Sequence, residues 1–134
     1  MYTERKILTK MGSLVDITED VKKIVTGSGV CHGVAVVSTA ESGAGIACTS
    51  SCDCKVHEDI VDDFNRVYPA RLDFMTQDDP WRTAAHCKAA VAGQSVDFII
   101  EDGNPILGDS QGIYFAEYYT GRERSYAVTV LGIS

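Results

Sequence analysis

The hydrophobic pattern begins as short β-prone runs rather than as helix. Ile7 with Leu8 and Thr9, then Leu14, Val15 and Ile17, flank a Met11-Gly12 turn signal. This predicts two strands or a hairpin. Residues 19–25 place Val21, Ile24 and Val25 on one side, which predicts one or two helical turns. Asp16, Thr18 or Glu19 can cap them, and the T-G-S-G run at residues 26–29 stops them. Residues 34–38 lack polar alternation and predict a strand buried on both faces. A second strand is expected at residues 46–49.

The period then changes to that of a helix. Val56, Ile60, Val61, Phe64 and Val67 recur at helical spacing, with Glu58, Asp59, Asp62 and Asp63 opposite. Asp53 is a candidate N-cap, and Tyr68-Pro69 ends the pattern. Asp79-Pro80 repeats the start signal for an alanine-rich helix over residues 81–92, which Gly93 stops. After it the chain reads as strands again, over residues 95–100, 112–119 and 125–131. Strands at both ends and two main helices between them predict one α+β domain over residues 1–134, with a mixed, mostly antiparallel sheet.

Composition narrows the function. The chain has 134 residues, 45% of them hydrophobic, and a formal net charge of −7. That charge disfavours a nucleic-acid surface, which needs Lys and Arg, while leaving room for one small anion. No run approaches the roughly 20 apolar residues of a membrane span, and no signal-peptide core opens the chain. A cytoplasmic protein without membrane or nucleic-acid partners is expected. The odd cysteine count (Cys31, Cys48, Cys52, Cys54 and Cys87) argues against a disulfide framework. Cys52-Asp53-Cys54 is too sparse for a structural zinc motif by itself; zinc on Cys48, Cys52 and Cys54 is the minor reading beside free thiols.

Several residues carry candidate chemistry. His86 lies among small residues mid-helix, where its ring suits proton transfer or metal binding; the alternative is a hydrogen-bonded core histidine. Glu41 and Asp53 with His86 would make a His-plus-carboxylate set for Mg or Mn, and a nearby cysteine would shift it toward Zn. Asp53 as a plain cap and Glu41 as an ordinary loop carboxylate remain open. Ser50 and Ser51 precede a helix N-terminus and can contact phosphate. Arg122 and Arg124 share strand parity and suit a phosphate or carboxylate, or else pair with Glu117 or Glu123. Gln111 sits in a turn that can present it to ligand. Lys88 reads as a solvated lysine.

Four segments together resemble a known family. T-A-A-H-C-K-A-A-V-A-G-Q-S-V (residues 83–96) is similar to N-A-x-A-H-I-K-A-S-L-L-G-x-S-V of the YjbQ-like family, also called UPF0047 or secondary thiamine-phosphate synthase. L-G-D-S-Q-G-I-Y-F-A-E-Y (residues 107–118) resembles its L-G-T-W-Q-G-I-Y-L-x-E-F. T-G-R-E-R-S-Y-A-V-T-V-L-G (residues 120–132) resembles its closing segment, and residues 33–59 align without gaps to its G-L-V…P-H-T-T-A…N-E-N-A-D segment. The departures are local. Glu41 stands where the family has histidine, Ser42 and Gly43 where it has threonines, Thr49, Ser50 and Ser51 on its N-E-N, and Ser110 on its tryptophan. His86 alone remains of its histidine cluster.

The resemblance implies an α+β half-barrel assembled as a homotrimer, with sites near subunit contacts. It places a functional histidine at His86; together with the residue chemistry above, His86 and Glu41 are the expected catalytic groups, and Ser42 with Ser50, Ser51, Gln111, Arg122 and Arg124 the expected substrate contacts. The implied activity joins a phosphorylated pyrimidine to a phosphorylated thiazole with help from a divalent metal, Mg or Zn, on His86, Glu41 and Asp53. The alternative is a non-catalytic small-molecule, anion-binding or scaffold protein of the same fold that has lost the family's histidines.

Overall fold

The computed structural model describes residues 1–76 and 78–133. Among these described residues, eight strands form two sheets, and every pairing is antiparallel. The larger sheet has the order β1-β8-β3-β5-β6, from β1 (Tyr2–Leu8), β8 (Glu123–Gly132), β3 (Gly33–Ser38), β5 (Ser95–Glu101) and β6 (Asn104–Pro105). The smaller has the order β2-β7-β4, from β2 (Ser13–Asp16), β7 (Gln111–Glu117) and β4 (Ala44–Ser50). Three helices complete the α+β half-barrel: α1 (Thr18–Gly27), α2 (Cys54–Val67) and α3 (Pro80–Ala92). None is long and apolar enough to cross a membrane.

Side-chain parity builds the core between the sheets. Ala35 and Val37 on β3, Phe98 and Ile100 on β5, and Tyr126, Val128 and Val130 on β8 meet Ile46, Ile113 and Phe115 of the small sheet. Val21, Ile24 and Val25 of α1 join the same cluster. Helix α1 is therefore a full core element of ten residues, longer than its short apolar pattern suggests. Its N-cap is Ile17, which makes no side-chain cap bond; Asp16 Oδ1 instead accepts from Thr18 N at 2.9 Å.

Of the two readings of the opening segment, two strands are realised and not a hairpin, because β1 and β2 belong to different sheets. Thr9 diverts the chain between them: its backbone N–H donates to Arg122 O at 3.0 Å and its hydroxyl to Glu117 Oε1 at 2.6 Å. Strand β3 is not buried on both faces, since Val34 and Val36 are only half-buried. Val34 pairs with Ile99 and Leu131, which are 62% and 58% exposed, so the outer face of the large sheet carries an uncovered apolar row. Helix α2 buries no residue fully, although its apolar stripe is as expected.

Helix α2 lies over β2 and α3 over β4, on the face of the small sheet away from the core. Asp53 caps α2 by accepting from Lys55 N at 2.9 Å. Asp79 caps α3 from Trp81 N and Arg82 N at 3.0 and 3.3 Å, with Pro80 in the first position. Gly93 ends α3 at φ +91°, a conformation that favours glycine.

Candidate functional site

The expected site residues divide into two groups at opposite ends of β4. One group gathers where the β3–β4 loop meets α3. His86 is exposed on α3, and its Nε2 lies 3.4 Å from Ser42 Oγ. The loop that carries Ser42 is tied at its base. Thr39 N donates to Gln94 O at 3.0 Å, and the Thr39 hydroxyl donates to Ser125 O at 2.8 Å. Glu41 N in turn donates to Thr39 Oγ1 at 3.3 Å. The Glu41 carboxylate turns inward, 3.7 Å from Arg124 Nη1.

Arg124 is not a free anion receptor. It is 8% exposed and holds Glu117, itself 1% exposed, through two hydrogen bonds of 2.8 and 2.7 Å. The ion-pair alternative is therefore the one realised, but inside the core rather than on the surface. Burial would raise the Glu117 carboxyl. The hydrogen bonds from Arg124, Thr9 and the Tyr119 N–H outweigh it and hold the group below its usual range. Those bonds to Glu117 also push the Arg124 guanidinium up. Arg122 precedes β8, is exposed, donates to Thr120 Oγ1 at 2.6 Å and lies over the Tyr119 ring. The two arginines thus do not form one paired face, because the strand begins between them.

The second group lies where β4 meets α2. Six strand steps separate Ala44 from Ser50, which puts this end about 20 Å from the strand's start, where Ser42 lies. Ser50 O accepts from His57 Nε2 at 2.7 Å, and Ser50 Oγ accepts from Cys52 N at 3.3 Å. Ser51 N donates to Ser110 O at 2.7 Å. Gln111 turns back to close its own loop, its Oε1 accepting from Gly108 N at 2.8 Å. Asp53 is engaged as the α2 cap.

Within one chain, His86, Glu41 and Asp53 do not fit a metal ion. Among the described residues, the one set of three donors lying within 4.8 Å of one another is His32, Glu101 and Asp102, all exposed and on the far edge of the large sheet. Cys48, Cys52 and Cys54 are free thiols and form no such set.

A feature that the pattern of the sequence concealed lies between α2, α3 and the small sheet. A cavity of about 540 Å³ is walled by Leu14 and Ala47 of the sheet, Ile60, Val61 and Phe64 of α2, and Tyr118. Phe64 and Tyr118 meet edge to face, with ring centroids 5.4 Å apart. Lys88 enters it from α3. Far from being solvated, Lys88 is 7% exposed, and its Nζ donates to Asn65 Oδ1. Burial pushes the Lys88 ammonium pKa down and the Tyr118 phenol up to about 12. A second lobe shares Val61, Asn65, Lys88 and Tyr118 and extends to Asp79 and Tyr119, whose hydroxyl donates to Asp79. The signal in the sequence was the four-residue step from Ala84 to Lys88, which puts Lys88 on the buried face of α3.

Comparison with known proteins agrees with this architecture. The family model described as UPF0047 protein YjbQ-like matches residues 4–133. The chain is 33% identical over 124 residues to UPF0047 protein YugU of Bacillus subtilis, covering 92% of this chain and 93% of that one. It is 34% identical over 123 residues to UPF0047 protein MJ1081 of Methanocaldococcus jannaschii, covering 92% and 88%. Among solved structures, a YjbQ/UPF0047 family protein from Clostridium acetobutylicum superposes with a TM-score of 0.90 at 36% identity, covering 96% and 99%. A YbjQ-like protein from Sulfolobus solfataricus gives a TM-score of 0.92 at 26% identity, covering 99% and 97%. Sequence and fold therefore meet in one conclusion: this chain belongs to the UPF0047 YjbQ-like family.

Proposed function

We propose that this protein binds a small molecule in the cavity between α2, α3 and the β2-β7-β4 sheet. The observation that carries the reading is an apolar space of about 540 Å³ into which a single buried cation, Lys88, projects. Ligand sites have this form: mostly apolar walls with a few placed polar groups, in volumes of about 300–1,000 Å³. The test is the fluorescence of a neutral probe, N-phenyl-1-naphthylamine, with wild type and with Val61→Trp. Val61 borders both lobes, so the larger ring fills the space. Probe enhancement that is lost in the variant supports the reading; equal enhancement in both rejects it.

A second reading keeps chemistry at the β3–β4 rim. The Ser42–His86 contact favours it, because an exposed imidazole beside a hydroxyl can relay a proton to or from a bound phosphorylated molecule. The finer form is a thiamine-phosphate synthase-type condensation. Arg124 is already paired, and Asp53 stands at the other end of β4, so a metal-assisted site would draw its two halves from neighbouring copies. A homotrimer supplies such copies, and the Val34, Ile99 and Leu131 row offers an apolar face for assembly. Thiamine-phosphate formation from the two phosphorylated precursors with magnesium, lost in His86→Ala, would support this reading. A monomeric mass by light scattering would remove its shared-site form.

A further inference from the structure

We propose that the ligand of the α2–α3 cavity is an organic anion, a carboxylate on a flat apolar body, whose acid group sits on Lys88. This rests on the binding reading above and names its ligand class.

The argument begins with an incomplete charge. An ammonium has three N–H donors, and the contact seen for Lys88 is one neutral amide oxygen, that of Asn65. Among the described residues no carboxylate oxygen lies within 4.0 Å of Lys88 Nζ. A buried charge without a counter-ion is unfavourable, and burial already disfavours the charged form here. The acidic groups around it are otherwise committed. Glu117 borders the cavity but is held by Arg124, Thr9 and the Tyr119 N–H. Asp63 borders it from the exposed side of α2 and reaches toward Arg66. Asp79, in the second lobe, receives the Tyr119 hydroxyl and two backbone N–H groups of α3. An anionic ligand supplies what these groups do not.

The walls define the rest of the molecule. A bare inorganic anion would meet the ammonium but leave Leu14, Ile60, Val61 and the Phe64 and Tyr118 rings against water. A flat apolar body covers them and extends the edge-to-face contact that the two rings already make.

The experiment is calorimetric titration of 3-phenylpropionate and of its neutral isostere, 3-phenylpropionamide, into wild type, Lys88→Met and Val61→Trp. Wild type is expected to bind the carboxylate about tenfold or more tightly than the amide, the scale of one charge-assisted hydrogen bond. Lys88→Met should bring the two to parity while still binding the amide, which reports an intact cavity. Val61→Trp should lose both. Equal affinity of wild type for the two probes, or a preference that survives in Lys88→Met, overturns the anion assignment and leaves the binding reading standing. Failure of wild type to bind either probe overturns both.

Discussion

Arg124 grips Glu117 across the two sheets. Two parallel hydrogen bonds, Nε to Oε1 at 2.8 Å and Nη2 to Oε2 at 2.7 Å, join the end of β7 to the start of β8 with both side chains withdrawn from water. Thr9 adds a third bond to the same carboxylate at 2.6 Å, so the connection between β1 and β2 is fastened to the same point. The fork geometry fixes direction as well as distance.

Breaking that pair leaves a buried guanidinium whose remaining carboxylate neighbour is the half-buried Glu41, at 3.7 Å. Glu117→Gln is expected to lower unfolding free energy by about 3–5 kcal/mol, read by urea denaturation at pH 7. The acid limb follows by linkage. The folded Glu117 carboxyl lies below its unfolded value, so the unfolded chain binds more protons in acid. Its contribution is complete above the unfolded pKa and is lost as pH falls through the folded one. Denaturation between pH 3 and 7 should show a steeper acid loss in wild type than in Glu117→Gln. Parallel profiles would contradict the clamp.

Lys88 follows the same linkage sign, but its substitution acts in the opposite direction. Its folded pKa lies below the unfolded value of about 10.4, so stability rises with pH between the two. Lys88→Met removes the desolvated charge and is expected to stabilise the protein by about 1 kcal/mol at pH 7, the lower end for replacing buried charges with apolar groups. The gain should shrink as pH approaches 10. A variant less stable than wild type at pH 7 would mean that the Asn65 bond outweighs the desolvation.

Gly33 tests the register of the large sheet. A Cβ at this position would stand 1.9 Å from Leu131 O, inside the β3–β8 pairing, and strand backbone cannot yield that distance. Gly33→Ala should cost about 3 kcal/mol or more or prevent folding, whereas Gly27→Ala, with open space around it, should be nearly neutral. Similar soluble yields and melting temperatures for the two variants would refute the close approach.

Asp53 separates a cap from a ligand-binding role. As a cap alone, Asp53→Ala should cost about 1 kcal/mol and Asp53→Ser almost nothing. If Asp53→Ser keeps stability but loses thiamine-phosphate formation where wild type shows it, the carboxylate serves a site that one chain does not assemble.

Much of the fold was legible because its signals are local. The caps at Asp53 and Asp79, the stop at Gly93 and the closing strands all fell near where the sequence placed them. What escaped was long-range. Met11-Gly12 looks like a hairpin turn until Thr9 is seen bonded to residues 108 and 113 positions away. Arg122 and Arg124 share parity on paper, yet the strand starts at Glu123 and only Arg124 enters the core. Lys88 reads as solvated because its polarity is local information, whereas its burial depends on Asn65 arriving from α2 and Tyr118 from just beyond β7. Residue pattern drew the candidate site as one cluster, but strand length divides it, since Ser42 precedes the start of β4 and Ser50 is its last residue.

The position of β8 also sets the order in which this protein can be made. Strand β8 lies between β1 and β3, pairing with β1 through Glu123–Thr129 and with β3 through Ala127–Gly132, yet it follows both of them in the chain by more than 80 residues. Until it emerges from the ribosome, β1 has no neighbour at all, and β3 presents one bare edge of apolar strand. The nascent chain thus waits on β8 with an open seam, and a ribosome stalled before residue 123 would display two sticky edges to every other chain nearby.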